Sequence, residues 1–356
     1  MGKSEEDSMS HDVKTLKEIY RQPVVWQLCL DELGRMDLAT LVDGYDPRVV
    51  EWVFVGCGTS YYLAQAAAAS LTTLLGVPAR AVPASEILLQ PRLVFPHGAA
   101  DCFPVLISRS GHTSEVLQVA AYLQTQNAEF LAVTCDGREL AETTNRILKL
   151  HVIEESTVMT SSFTSMVLAL QYLAASIAGD QDFISSLLEL PRQLDRLLQR
   201  YASQVELFAG QSFDDFAFLG QGALYAIASE TALKVMESSS TYAQYFHTLE
   251  FRHGPKSIAG PATLVGGLIS ESGYVRELPV LLEMKELGSQ IMVVTNSATA
   301  ELRRAADLLI ELELPVPEIA RIIVYVVWGQ LLGSYRGLAK GLDPDNPKNL
   351  SRVVTI

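Results

Sequence analysis

The chain repeats itself. Read from Trp52, "WVFVGCGTSYYLAQAAAA" aligns with "FAFLGQGALYAIASETAL" from Phe216, an offset of 164 residues (216 − 52). Gly56 meets Gly220, Gly58 meets Gly222, Tyr61 meets Tyr225, and Ala64 and Ala68 meet Ala228 and Ala232. An apolar run, a Gly-x-Gly turn, a tyrosine and an alanine ladder in one register indicate an internal duplication. Each copy is then a strand, a tight turn and a helix, and 356 residues leave room for two such domains.

The flanking pattern extends both copies. In the first, "WVFVG" (52–56) leads to a helix predicted over 59–75 and stopped by Gly76, and "CFPVLIS" (102–108) to one over 112–126. "FLAVT" (130–134) and "RILKLHVI" (146–153) read as further strands, followed by the helix "SSFTSMVLALQYLAASIAG". In the second, the strands "TLVGGLI" and "QIMVVT" flank the helix "RELPVLLEMKELG". Continuous β-branched runs alternating with helices indicate α/β domains built on doubly wound parallel sheets. The expected organisation is a disordered and helical segment (1–44), a first domain (45–180), a helical connector (181–208), a second domain (209–340) and a tail (341–356). The opening "MGKSEEDSMSH" is polar and expected to be frayed.

Composition narrows the partners. A net charge of −14 argues against nucleic acid, because phosphate backbones are held by clustered Lys and Arg. An anionic ligand must therefore be held by local donors. The longest apolar run, "RIIVYVVWGQLL", falls short of the ~20 residues a bilayer requires, and no signal-peptide pattern opens the chain. The expectation is a cytoplasmic protein with no membrane partner. Cys29, Cys57, Cys102 and Cys135 show neither zinc nor redox spacing and read as buried thiols, so no metal or cofactor is expected.

Two strand ends of the first copy carry glycines and hydroxyls, "GCGTS" (56–60) and "SRSGHT" (108–113). Ligands of open α/β sheets sit beyond the carboxyl ends of strands, where helix N-termini offer N–H groups and partial positive charge to a phosphate. Neither stretch is a Walker loop, and Tyr61 replaces the third glycine of a dinucleotide fingerprint. The plainer alternative is helix N-capping by Ser and Thr. In the second copy, Ala223 and Leu224 replace Thr59 and Ser60, but Lys234 and Glu237 share a helix face three residues apart. By themselves they read equally as a surface ion pair, and His253 in "LEFRHGP" equally as a structural histidine.

Together, "GCGTS", "SRSGHT", "ALKVMES…LEFRHGP" and "GLDPDNPKNLSRVVTI" resemble the sugar-isomerase (SIS) domain family over roughly residues 45–356. More narrowly, they resemble the isomerase half of glucosamine-6-phosphate synthase and the stand-alone amino-sugar-phosphate deaminases and isomerases. The resemblance implies flavodoxin-like three-layer sandwiches and a sugar phosphate bound by Cys57, Gly58, Thr59, Ser60, Ser108, Arg109, Ser110, Gly111, Thr113 and Thr157. It implies Glu237 as enolisation base, Lys234 as its support, and His253 as a ring-opening group donated to the partner's site in a homodimer.

The departures from that pattern set further expectations. A glutaminase domain has no room before residue 45, so no glutaminase activity is expected. Arg109 stands where the synthase has Gln and would add positive charge near the phosphate. Ser161 stands where relatives often have Lys or Arg. Arg352 replaces the lysine that forms an imine with the ketose, and a guanidinium stays protonated. It is expected to orient the open-chain sugar or a carboxylate on the departing group, or else to pair with a surface carboxylate. The expected activity is that of an amino-sugar-phosphate deaminase or aldose–ketose isomerase. The alternatives are a fructosamine-6-phosphate deglycase and a non-catalytic phosphosugar sensor.

Overall fold

The structure, a computed structural model, describes residues 13–354. The stretch expected to be frayed lies outside the described residues. Among these, the strands form two five-stranded parallel sheets. The first contains β1 (Glu51–Gly56), β2 (Ala79–Pro83), β3 (Cys102–Ile107), β4 (Leu131–Thr134) and β5 (Ile147–Lys149), in the order β2-β1-β3-β4-β5. The second contains β6 (Asp215–Gly220), β7 (Tyr242–His247), β8 (Thr263–Leu268), β9 (Gln290–Thr295) and β10 (Leu308–Glu311), in the order β10-β9-β8-β6-β7. Read from its other edge, the second sheet has the same order as the first, the doubly wound arrangement with its reversal beside the first strand. The duplication reaches the side chains. Trp52 stacks on Phe54 at 6.1 Å and 16°, and Phe216 on Phe218 at 6.1 Å and 16°.

The chain packs as two compact units. Residues 24–154 and 161–188 and the tail from Ser351 make up the unit of the first sheet. The unit of the second sheet takes the chain up to Pro23, the short segment Glu155–Thr160 and Glu189–Leu350. The expected connector is part of one continuous helix, Gln181–Ala209, with Pro191 inside it.

Several boundaries differ from expectation for local reasons. The strand expected over 146–153 is only Ile147–Lys149, because beyond Leu150 the chain leaves the sheet edge. The strands β2, β7 and β10 were not anticipated. Two of them, β2 and β7, carry half-exposed residues without clean alternation, as edge strands do. The run "RIIVYVVWGQLL" belongs to the Glu318–Ala339 helix, buried along most of its length. Among the described residues one helix, Ser161–Ala178, is long and apolar enough to cross a membrane, and 78% of that span is buried inside the protein. All four cysteines are free, with Cys29, Cys102 and Cys135 buried and Cys57 half-buried.

Helix packing in the second unit depends on three glycines. Gly329, Gly333 and Gly337 recur every four residues on the Glu318–Ala339 helix and face the Ala223–Ser239 helix. A Cβ on Gly333 would lie 2.8 Å from the carbonyl oxygen of Lys234, and one on Gly337 2.1 Å from that of Ser238. The two helices thus meet backbone to backbone, and the one carrying Lys234 and Glu237 is held against a surface with no side chains to yield. Gly333→Ala should force them apart and cost about 1–3 kcal/mol through overpacking. Urea unfolding checks this, and an unchanged midpoint would show that the contact is slack.

Candidate active site

The two Gly-x-Gly turns are built alike. Gly58 has φ 54° and ψ −127°, and Gly222 has φ 58° and ψ −129°, a conformation open to glycine. The first glycine of each turn is needed for space. A Cβ on Gly56 would come within 2.4 Å of the Ser60 carbonyl, and one on Gly220 within 2.2 Å of that of Leu224. Each strand therefore turns directly into a helix whose N-terminus stands at the carboxyl edge of its sheet.

In the first unit β1 pairs with β3, so the loops after both strands share that edge. Cys57 and Gly58 form one turn, with Thr59 and Ser60 opening the helix Thr59–Leu75 after it, and Ser108, Arg109, Ser110, Gly111 and Thr113 come from the other loop. The first helix starts at Gly58, which has no side chain to cap it, and Thr113 makes no side-chain cap hydrogen bond at the start of the second. The hydroxyls after β3 organise their own loop. Ser108 Oγ accepts from Gly111 N (3.1 Å) and lies 3.0 Å from Thr113 Oγ1, while Ser110 Oγ accepts from His112 N (3.1 Å). The loop is braced from β4, because Cys135 N and Asp136 N both donate to the Arg109 carbonyl at 3.0 Å. Gly111, at φ 66°, packs so closely that a Cβ would lie 1.9 Å from the Gly137 carbonyl oxygen. Burial, with a smaller contribution from Glu115, pushes the Cys57 thiol up to about 11, so it is not a thiolate at neutral pH.

Arg109 does not stand as a free cation. Its guanidinium, 6% exposed, pairs with the buried Glu154 carboxylate at 3.1 Å, so the charge expected near the phosphate is balanced locally. Arg352 is exposed, and its Nη2 donates to the Glu154 backbone carbonyl at 2.7 Å. Among the described residues no ion pair to a surface carboxylate is seen for it. Thr157 packs with the second unit, where its N–H is 3.5 Å from the Asp345 carbonyl and its loop hangs on Glu18.

In the second unit, Lys234 and Glu237 are not a surface pair. Lys234 is 1% exposed and its ammonium lies 2.5 Å from Glu237 and 3.3 Å from Glu230. Burial would lower its pKa, but the two carboxylates outweigh that and hold it above the ordinary lysine value. Glu230, fully buried, was missed in the sequence, although Glu230, Lys234 and Glu237 lie at i, i+4 and i+7 on one face. Glu237 keeps part of its side chain exposed. His253 is exposed on the turn joining the short 3-10 helices Glu250–Arg252 and Pro255–Ile258, as expected before Gly-Pro.

The second copy also has a hydroxyl loop that went unread. "LISESG" (268–273) echoes "LISRSG" (106–111), and Ser270 Oγ accepts from Gly273 N at 2.9 Å, as Ser108 does from Gly111. Here the donors are already taken. The buried Glu277 carboxylate accepts from Ser270 N (3.2 Å) and from Ser270 Oγ. Burial raises its pKa, and the bonds from Ser270 pull it back in part. An internal carboxylate thus holds the loop that corresponds to Ser108–Gly111 in the first copy. A cleft of about 470 Å³ in the first unit, lined by residues such as Leu33, Met36, Tyr172, Ser176 and Gln181, lies away from these loops.

The two copies thus share a 2-1-3-4-5 sheet and a hydroxyl loop, and the second adds a buried acid–lysine–acid row. Residues 51–176 and 214–328 match the SIS domain, and the chain belongs to that family. It is 28% identical over 351 residues to a glutamine–fructose-6-phosphate aminotransferase (isomerizing) of Methanothermobacter thermautotrophicus, spanning 97% of this chain and 58% of that protein. The structure of glucosamine-6-phosphate deaminase from Thermotoga maritima is similar with a TM-score of 0.78 and 28% identity, covering 96% of this chain and 100% of that one. Tagatose-6-phosphate ketose/aldose isomerase from Escherichia coli shares the fold at a TM-score of 0.82 and 20% identity, with 96% of each chain covered.

A buried lysine survives only if both of its carboxylates remain. Lys234→Met should cost about 3–5 kcal/mol by leaving Glu230 charged in a dry site. Denaturant unfolding at neutral pH measures this, and an unchanged stability would show that the row does not depend on its cation.

Proposed function

We propose that this protein is an amino-sugar-phosphate deaminase or aldose–ketose isomerase, acting on a substrate of the glucosamine 6-phosphate type. The observation that carries this reading is the Lys234–Glu237 pair, a partly exposed carboxylate held in place by a fully buried ammonium. Burying a lysine is costly, and an enolisation base needs this kind of fixed, charge-balanced support.

In this reading the loops at Ser60 and Ser108–Thr113 bind the phosphate, and His253, donated to the partner's site in a homodimer, helps open the ring. Glu237 removes the C2 proton as the C1 oxygen gains one, giving an enediol or enolamine, and Lys234 stabilises the charge that develops. Glu237 then returns the proton to C1. From an aminosugar this leaves a C2 imine, which water converts to the ketose and ammonia. Arg352 cannot form an imine with the ketose, so the substrate is held without a covalent bond to that position. The exposure of His253 supports its availability to a second copy, and the four free thiols support a reducing compartment, the cytoplasm. A glycated-amine substrate, as in a fructosamine-6-phosphate deglycase, is the second reading; Arg352 favours it by offering a fork for a carboxylate.

Two outcomes test the proposal. With glucosamine 6-phosphate in deuterium oxide, Glu237→Gln should bind the sugar but lose C2 proton exchange by at least ~100-fold. Exchange at the unmodified rate would assign the base elsewhere, and its absence in the parent protein would favour the non-catalytic sensor. Ser60→Ala and Ser110→Ala should each weaken sugar-phosphate binding by about 1–3 kcal/mol, as expected for a charge-assisted bond. Ser272→Ala, in the self-filled second loop, should leave titration calorimetry unchanged; equal losses at all three positions would contradict a phosphate site confined to the first copy.

A further inference from the structure

Glu154 lies outside every motif in the sequence, yet it joins three parts of the first unit. It is 4% exposed. Oε1 accepts from Ser161 Oγ (3.0 Å) and Ser162 N (2.8 Å), and Oε2 from Ser162 Oγ (2.5 Å) and Arg109 Nη1 (3.1 Å). Three of these donors belong to the first turn of the Ser161–Ala178 helix, where an anion satisfies the helix start and its dipole. The fourth belongs to the candidate phosphate loop. From there the bonds run to the tail: Arg109 Nη2 is 3.5 Å from the Arg352 carbonyl oxygen, and Arg352 Nη2 returns to the Glu154 carbonyl at 2.7 Å. Two residues further on, the Val354 carbonyl accepts from Ser114 N at 3.4 Å, at the start of the helix behind the loop.

We propose that Glu154 is a positioning residue that clasps the C-terminal tail to the phosphate loop through Arg109, and that it lowers the loop's anion affinity by neutralising that arginine. The second half rests on the reading of Ser108–Thr113 as a phosphate site; the first does not. The physical logic is a trade. A guanidinium released within the loop would attract a phosphate dianion strongly in a partly dry setting. Paired with Glu154, it gives up that attraction and its second arm fastens the tail. A purely structural cap on the Ser161–Ala178 helix would have no need of Arg109.

Limited trypsinolysis reads the clasp directly. Cleavage after Arg352 removes residues 353–356 and is seen as a shift in intact mass, and it requires the tail to leave its site. Inorganic phosphate, followed by titration calorimetry, reads the charge balance. Glu154→Gln should speed tail cleavage by about 10-fold, through local opening, and tighten phosphate binding several-fold by deleting a negative charge beside the loop. Arg109→Gln should speed cleavage to a similar degree and weaken phosphate binding. Opposite signs on phosphate with the same sign on cleavage are the signature of the clasp, because general loosening would weaken binding in both. If Glu154→Gln does not fold, Arg109→Lys carries the test. It keeps the ion pair but has no second arm, so cleavage should rise while phosphate affinity stays within about two-fold. Unchanged cleavage in the Arg109 variants overturns the clasp, and weaker phosphate binding in Glu154→Gln overturns the charge balance. A parent protein that binds no inorganic phosphate refutes the phosphate-site reading and the charge half with it, while the cleavage rates still judge the clasp.

Discussion

A strand that turns at once into a helix must pass through backbone space closed to side chains, and both halves of this protein pay that steric toll with the same glycine pair. Gly56 and Gly220 let the helix approach its own strand, and Gly58 and Gly222 take up nearly identical dihedral angles. Move either helix start by one residue and its N–H groups no longer point beyond the carboxyl edge of the sheet. The loop at Cys57 and Gly58 and the helix that carries the buried lysine both take their positions from that turn.

Buried charge is managed by the same device in both units, a cation fixed by carboxylates inside the protein. Lys234 lies between Glu230 and Glu237, and Arg109 lies against Glu154. The two settings differ in exposure. Glu237 retains some access to solvent, whereas Glu154 is enclosed by serine donors and an arginine.

Most of the architecture was legible in the sequence because it rests on patterns short in range: a glycine pair, an alanine ladder, apolar runs of strand length. The edge strands β2 and β7 escaped because one side of an edge strand is wet and its pattern blurs. Glu230 was readable at helical spacing from Lys234, yet nothing local separates a buried glutamate from a surface one. Glu154 was unreadable: its partner Arg109 is 45 residues away, and only the folded chain brings the two together. The Ser270 loop was hidden by arithmetic, since the repeat spacing falls from 164 at the glycines to 162 there (270 − 108) and a fixed offset slides past it.

The second loop carries its own source of order. Glu277 is a permanent occupant, covalently part of the chain and present at an effective concentration no free anion reaches, so the loop is ordered whatever the medium contains. In the first copy the loop's hydroxyls bond to one another and to their own backbone instead. Duplication has therefore kept one turn and braced it in two ways, by a carboxylate in one copy and by paired hydroxyls in the other.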